Sequence, residues 1–292
     1  MGFFCKCDLE HGATRTEQLP IQLNRGSSGF DPSFDPFYAD EETRSAAEDQ
    51  PYYDLLLDFP LTTGPEVVTA DGYAYVMLQD SRFRVGMPKI TKFPDHAGMM
   101  KVNQLLAKEL AQYRLQAAGC AQGIDFNGGD FDLSTGVELF SRHLFSVVRH
   151  GSSFCGGAHP NFQSFINLYD LHTGTEVSTE DLLAREIDPD TVKKLIGNTS
   201  ADGADLIRGL MAELYLQHAH PEADCLDVIT RDENRAPVFS TKHYLSSHGL
   251  VLVPDLPHVE QACAEDVIIP YGELRPLLRK NSQLFMLAGI NQ

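Results

Sequence analysis

The stretch GVELFSRHLFSVVRHGSSFCGGAHPNFQSFINLYDLHTGTEV, residues 136–177, decides how the chain is read. Two runs rich in β-branched and aromatic residues flank the compact segment Cys155-Gly-Gly-Ala-His-Pro160. In the second run Phe162, Ser164, Ile166 and Leu168 alternate with Gln163, Phe165, Asn167 and Tyr169. Apolar groups stand on both faces, so this strand belongs inside a sheet rather than at its edge. The following Asp170-Leu-His-Thr-Gly174 has the composition of a turn.

Working outward, EVVTADGYAYVML (Glu66–Leu78) places Asp71-Gly72 between two β-prone runs, a hairpin signal. Met99, Val102, Leu106, Leu110, Tyr113 and Ala117 recur at three- and four-residue steps and predict one long helix. Asp95 is placed to cap its start and Gly119 to end it. Ser178 and Asp181 open a further helix with a capping-box-like pattern. Pro189 suits the first turn of another, and Leu206, Leu210 and Leu214 line a third. The last third returns to β structure in APVFSTKHYLSS, GLVLVPD and EDVIIP, followed by a terminal helical segment at YGELRPLLRK. Strands and helices are grouped rather than alternating. That predicts an α+β fold of mainly antiparallel sheets with packed helices in two lobes. The expected division is a flexible acidic leader (1–50), an N-terminal α+β lobe (51–148) and a C-terminal α+β lobe (149–292).

The chain has 292 residues, enough for a substantial core. Its formal net charge is −18. Such a surface repels nucleic acid and anionic membranes and attracts cationic partners. Residues 1–50 hold ten Asp/Glu against four Lys/Arg, a net of −6, and read as an extended or disordered leader. No apolar run approaches the roughly 20 residues that span a bilayer. No export signal is visible, because the start lacks a basic region followed by a long apolar core.

Cys155 and His159 raise four possibilities: a nucleophile–base pair, a metal corner, an anion cradle, or a turn that needs glycine. A thiolate pair needs an orienting group and a feature that lowers the thiol pKa, and neither is apparent. His150, His159, His243, His248 and His258 show no tight ligand spacing, so no metal is expected. Gly156-Gly157 can point successive amides into one concavity, or can simply permit a sharp bend. Asp125, Asp130 and Asp132 lie in a Gly-rich segment that lacks the terminal Glu of an EF-hand loop and reads as a solvated turn. No Gly-x-Gly-x-x-Gly unit or Walker loop is present, and no cofactor is expected. Cys5, Cys7, Cys120, Cys155, Cys225 and Cys263 include no C-x-x-C pair. The four widely spaced cysteines suit buried thiols or two disulfides.

Several segments together resemble a known family. They are MPKITKFPD with VNQLLAKEL, the Gly-Gly-Ala-His-Pro strand ending in Tyr-Asp-x-x-Thr-Gly, and HYLSSHGLVLVPDLPHVEQACAEDVIIPYGELRPLL. The pattern is similar to the extracytoplasmic domain shared by the anti-sigma factor RsiV and the non-catalytic region of the peptidoglycan deacetylase PdaC. The resemblance covers about Tyr52 to Leu278 and is more specific in its C-terminal half. It implies a periplasmic or extracellular two-lobed α+β module. In RsiV-like members the module binds lysozyme, which suits an acidic chain. The chain has no sigma-binding segment and no deacetylase domain, which points away from a signalling receptor and from PdaC-type catalysis.

In an oxidising compartment the cysteines would pair, and the family context implies Cys120–Cys155 and Cys225–Cys263. The expected function is a non-catalytic envelope binding module for a cationic protein such as lysozyme, or for peptidoglycan. Its binding residues would be Ser152, Ser153, Phe154, His159, Asn161 and Tyr271, with the two aromatics as exposed anchors. The alternatives are a cell-wall hydrolase using His159 with a nearby carboxylate, and a structural assembly subunit. On this reading Cys155 is bonded, Gly156-Gly157 give the bend, and His159-Pro160 lead into the central strand.

Overall fold

The computed structural model describes residues 7–8, 14–15, 57–122, 130–155, 160–198, 200–220, 225, 240–256 and 258–290. Within residues 1–50, Cys7–Asp8 (β1) pairs antiparallel with Thr14–Arg15 (β2). The rest of the expected leader, with Cys5, lies outside the described residues, as does Asp125.

Residues 51–292 form one compact unit. Its main sheet contains Thr62–Thr63 (β3), Val67–Val68 (β4), Ala74–Asp80 (β5), Arg84–Lys92 (β6), Asp130–Phe140 (β7), Leu144–Phe154 (β8), Asn161–Asp170 (β9) and Thr175–Val177 (β10). The order is β10-β9-β8-β7-β6-β5-β3, with β4 also on β5. The Asp71-Gly72 hairpin forms between β4 and β5, with Gly72 at φ +76°. Strand β9 lies between β8 and β10, but β10 pairs only with Leu168, Tyr169 and Asp170, so the expected central position holds at that end, while residues 161–167 have a partner strand only on the β8 side among the described residues. All pairings are antiparallel except β6 with β7. That parallel pair needs a crossover, and the long helix His96–Gln122 (α1) supplies it. The expected boundary after residue 148 falls inside β8.

A second sheet has three antiparallel strands: Ser240–Leu245 (β11), Gly249–Asp255 (β12) and Val267–Pro270 (β13). Around it lie Thr179–Glu186 (α2), Pro189–Leu195 (α3), Gly203–His218 (α4), Tyr271–Leu274 (α5) and Leu284–Leu287 (α6). The fold is therefore α+β with mainly antiparallel sheets.

Two layers of side chains hold the main sheet. One face packs on α1 through Val102, Leu106, Leu110 and Tyr113 against Val85, Met87, Leu133 and Val147. The other face meets α2–α6 through Leu139, Leu144 and Leu168. Farther along, Val148 and Ile166 on that face meet Tyr244, Val251 and Val253 of the small sheet. The tight turns β7–β8 and β11–β12 are built alike. Ser141 Oγ accepts from the amides of His143 and Leu144, and Ser246 Oγ from those of His248 and Gly249.

Two local expectations need correction. Helix α1 runs through Gly119 to Gln122, so Cys120 is helical rather than beyond the end. The tertiary burial of Ala117, Ala118 and Cys120 outweighs the propensity cost of one glycine. Asp130 and Asp132 belong to β7 rather than a solvated turn, because β8 supplies a full ladder of partners down to Phe154.

The start of α1 is set by Asp95, whose Oδ1 accepts from the Gly98 amide at 3.0 Å. It abuts the β9–β10 turn, where Asp170 Oδ1 accepts from His172 and Thr173 amides at 2.7 and 2.9 Å. Gly174 closes that turn at φ +71°. The approach is so close that a Cβ at Gly98 would lie 1.7 Å from the Leu171 carbonyl oxygen. The Gly98→Ala variant should therefore lose about 3 kcal/mol or more in urea unfolding, above the cost of ordinary overpacking.

Helix α1 also carries a buried ion pair. Arg114 Nε donates to Asp80 Oδ2 at 2.6 Å, and the guanidinium donates to the Leu57 and Phe59 carbonyls at 3.0 and 2.8 Å. Burial alone would raise the Asp80 carboxyl, but hydrogen bonds from Arg82 and Arg114 outweigh it and hold it below the usual range. A depressed carboxyl contributes stability above its unfolded pKa of about 3.9 and loses it as pH falls through the folded value. The Asp80→Asn variant should lose about 3–5 kcal/mol at neutral pH, having left Arg114 buried without its anion. The gap to wild type should narrow below about pH 4 in denaturant titrations.

Candidate functional site

The region singled out in the sequence is the far end of β8 and the start of β9. The β8–β9 register pairs Ser152 with Phe162 and Ser153 with Asn161. The β7–β8 register pairs Asp130 with Phe154 and Asp132 with Ser152. Because paired residues share a face and neighbours alternate, the expected binding residues divide. Ser152 and Phe154 share a face with Val148, Phe162, Asp130 and Asp132. Ser153 and Asn161 share the opposite, helix-side face with Arg149, Gln163 and Phe165.

The first of these faces is covered by the small sheet only around Val148 and Ile166. Beyond them several of its side chains reach the surface. Phe162 is 53% exposed, and His150 and Asp130 are exposed. His150 Nδ1 lies 3.0 Å from Ser164 Oγ. Asp266, one residue before β13, faces them. Burial pushes its carboxyl up, and His150 opposes that shift. Ile268 on the same strand is 48% exposed. Arg84 Nη1 donates to Asp132 Oδ2 at 3.0 Å. The result is an acidic and aromatic surface at the mouth between two sheets.

The helix-side face carries charge of another kind. Arg149, 1% exposed, pairs with Glu109 of α1. Its guanidinium carbon stands 5.4 Å from the centre of the Tyr113 ring. Tyr169 Oη donates to the other oxygen of Glu109 at 2.5 Å. Burial and the Glu109 carboxylate push the Tyr169 hydroxyl far up, and burial pushes Tyr113 up to about 12. At the rim, Asn167 Nδ2 donates to Glu176 Oε1 at 2.7 Å. Burial raises the Glu176 carboxyl, and Glu109 adds to the shift.

Both disulfides implied by the resemblance are formed, Cys120–Cys155 and Cys225–Cys263. Cys155 is thus no free thiol, and it ties the end of β8 to α1. His159 lies outside the described residues. Tyr271 corrects the expectation of an exposed anchor. It is 5% exposed, with its hydroxyl donating to the Ser246 carbonyl at 2.8 Å. The Pro-Tyr-Gly segment starts α5 directly after β13, and that turns the ring into the core against Phe285. Sequence reasoning missed Phe162, His150, Ser164 and Asp266 as one surface. The period-2 alternation held the signal for Phe162, but the cross-strand partners needed the register. Among the described residues no group of three or more His, Cys, Asp or Glu is placed to hold a metal ion. No helix there is long and apolar enough to cross a membrane.

No family model and no curated protein matches the chain. Among solved structures, a DUF3298 family member from Bacteroides fragilis is similar at 13% identity and a TM-score of 0.43, covering 78% of this chain and 94% of its own. A DUF3298 family protein from Pseudomonas aeruginosa is similar at 16% identity and a TM-score of 0.35, covering 77% and 97%.

The placement of Tyr271 has a direct check. The Tyr271→Phe variant should lose about 1 kcal/mol of stability, one net hydrogen bond with the Ser246 carbonyl left unpaired. Its near-UV circular dichroism should otherwise match that of wild type.

Proposed function

We propose that the chain is a non-catalytic binding module of the extracytoplasmic space that docks a cationic protein, lysozyme being the partner to test. The observation that carries this reading is the sheet face where Asp130 and Asp132 lie beside Phe154 and Phe162, with Asp266 near His150 and Ile268 exposed on the small sheet. Aromatic groups beside acidic side chains suit an interface with a basic partner. The aromatics supply desolvated area, and the charges supply orientation and speed of encounter. The net charge of −18 acts in the same direction over longer range. Two disulfides fit an oxidising compartment. The resemblance to the RsiV and PdaC modules supports the same location and, through the RsiV-like members, the same partner.

Titration with a basic lysozyme should show binding at ~20 mM salt that weakens markedly at ~500 mM, where the Debye length falls to a few ångströms. Phe162→Ala combined with Asp130→Lys should weaken it by about tenfold or more. Absence of binding at low salt, or equal binding by the double variant, refutes the assignment of this partner to this face.

A further inference from the structure

The outer edge of β9 is covered at one end only. Strand β10 pairs with Leu168, Tyr169 and Asp170, and Val177 is its last residue. Along residues 161–167 no strand among the described residues pairs on that side. The end of β9 shows which backbone groups face outward. The Leu171 amide donates to the His143 carbonyl, toward β8, whereas the Asp170 carbonyl accepts from the Gly174 amide, toward β10. Backbone groups along a strand point to its two edges alternately. Ser164 and Ile166 therefore present their N–H and C=O groups outward, as does Phe162, while Gln163, Phe165 and Asn167 turn theirs to β8.

A strand edge is a template for another strand, and proteins blunt such edges with charge, proline or a bulge. Residues 161–167 use none of the three. Their sequence, NFQSFIN, holds no Asp, Glu, Lys, Arg or Pro. The β8–β9 register runs unbroken from Asn161 to Asp170. Asn161 and Phe162 are exposed, and the residues from Gln163 to Asn167 are half-buried.

We propose that this edge pairs with the same edge of a second copy of the chain, antiparallel about a two-fold axis at Ser164. Two observations choose that occupant. The first is length. Strand β9 starts at Asn161 and β10 stops opposite Leu168, so the lane beside residues 161–167 is centred on Ser164. A second β9 fills this lane without overlapping β10. The second is the order of side chains. At the axis the two Ser164 residues exchange both backbone bonds. Each Ile166 then stands opposite Phe162 of the second copy, each Asn161 opposite Asn167, and each Gln163 opposite Phe165. Apolar groups meet on the small-sheet face, amides meet at the ends, and no charge enters the interface. Such a contact is isologous and closes at two copies. A charged strand from another protein would find no counter-charge among these side chains. The inference does not depend on the docking reading, although Phe162 borders both surfaces.

The test is sedimentation equilibrium of the full chain with no partner added. The paired area is small, so the expected dimer has a Kd on the order of 100 µM. A net charge of −18 on each copy opposes approach. Raising salt from ~20 to ~500 mM should therefore tighten the dimer at least about threefold, the reverse of the lysozyme expectation. Amide hydrogen exchange at Ser164 and Ile166 should slow as chain concentration rises, while Gln163 and Phe165, which point to β8, stay unchanged. Ser164→Lys and Ser164→Glu each set like charges opposite one another at the axis and should raise the Kd at least about tenfold. An equimolar mixture of the two variants should restore the dimer, which separates a lost interface from a lost fold. A chain that is monomeric at ~1 mM in high salt overturns the proposal. So does a dimer that leaves exchange at Ser164 and Ile166 unchanged, or a mixture no more associated than its components. Addition of an unrelated strand to this edge in a chain that never self-associates overturns it as well.

Discussion

Glu109 joins three elements at once. One of its oxygens holds Arg149 of β8 and the other holds Tyr169 of β9, so a single carboxylate on α1 fixes two neighbouring strands. Replacing a buried ion pair by apolar residues of similar volume often costs nothing, so the pair is a poor source of net stability. Its value lies in register. A one-residue slip of β8 would send Arg149 to the opposite face, where Val148 now packs against Tyr244, Val251 and Val253. A charge there would have no partner among those apolar side chains, and the slip is strongly disfavoured. Arg114 and Asp80 repeat the device nearer the other end of the sheet, binding α1 to β5. The disulfide at Cys120 then closes a loop of 35 residues, worth about 4 kcal/mol in the chain-entropy description.

The same cluster explains which groups can titrate. Tyr169 is buried beside the carboxylate it serves, so both desolvation and Coulomb repulsion oppose losing its proton. Glu176 differs because it sits at the rim with one oxygen held by Asn167. Its proton affinity is raised by burial, and Glu109 adds to the shift.

Much of this architecture is legible in the chain because it rests on short-range periodicity. The stripe from Val102 to Ala117 and the two-sided alternation from Phe162 to Tyr169 each identify an element and its environment. The turns at Asp71-Gly72 and Asp170–Gly174 do the same for the connections. What escapes is everything that depends on cross-strand register. Asp130 reads as a turn residue until β8 is seen to pair with it. Tyr271 reads as an anchor until the Pro270 turn directs it inward. The buried pairs are equally silent, since an Arg in a strand and a Glu on a helix are ordinary surface residues until topology brings them together.

Register also changes what the expected binding residues mean. Ser152, Ser153, Phe154 and Asn161 are neighbours in sequence, yet the pleat sends two of them to each side of the sheet. No single flat surface presents all four, because a ligand would have to wrap the Asn161 end of β9, which β10 does not reach. Two separate surfaces follow, with different chemistry. The Phe154 side is acidic and aromatic, and it faces the gap between the two sheets. The Asn161 side is rich in amides, and it runs beside α1 with charges already paired beneath it. The disulfide at Cys155 stands where the two faces meet. By fixing the end of β8 to α1 it holds both in place, so a change at that one bond reaches either surface through the strand they share.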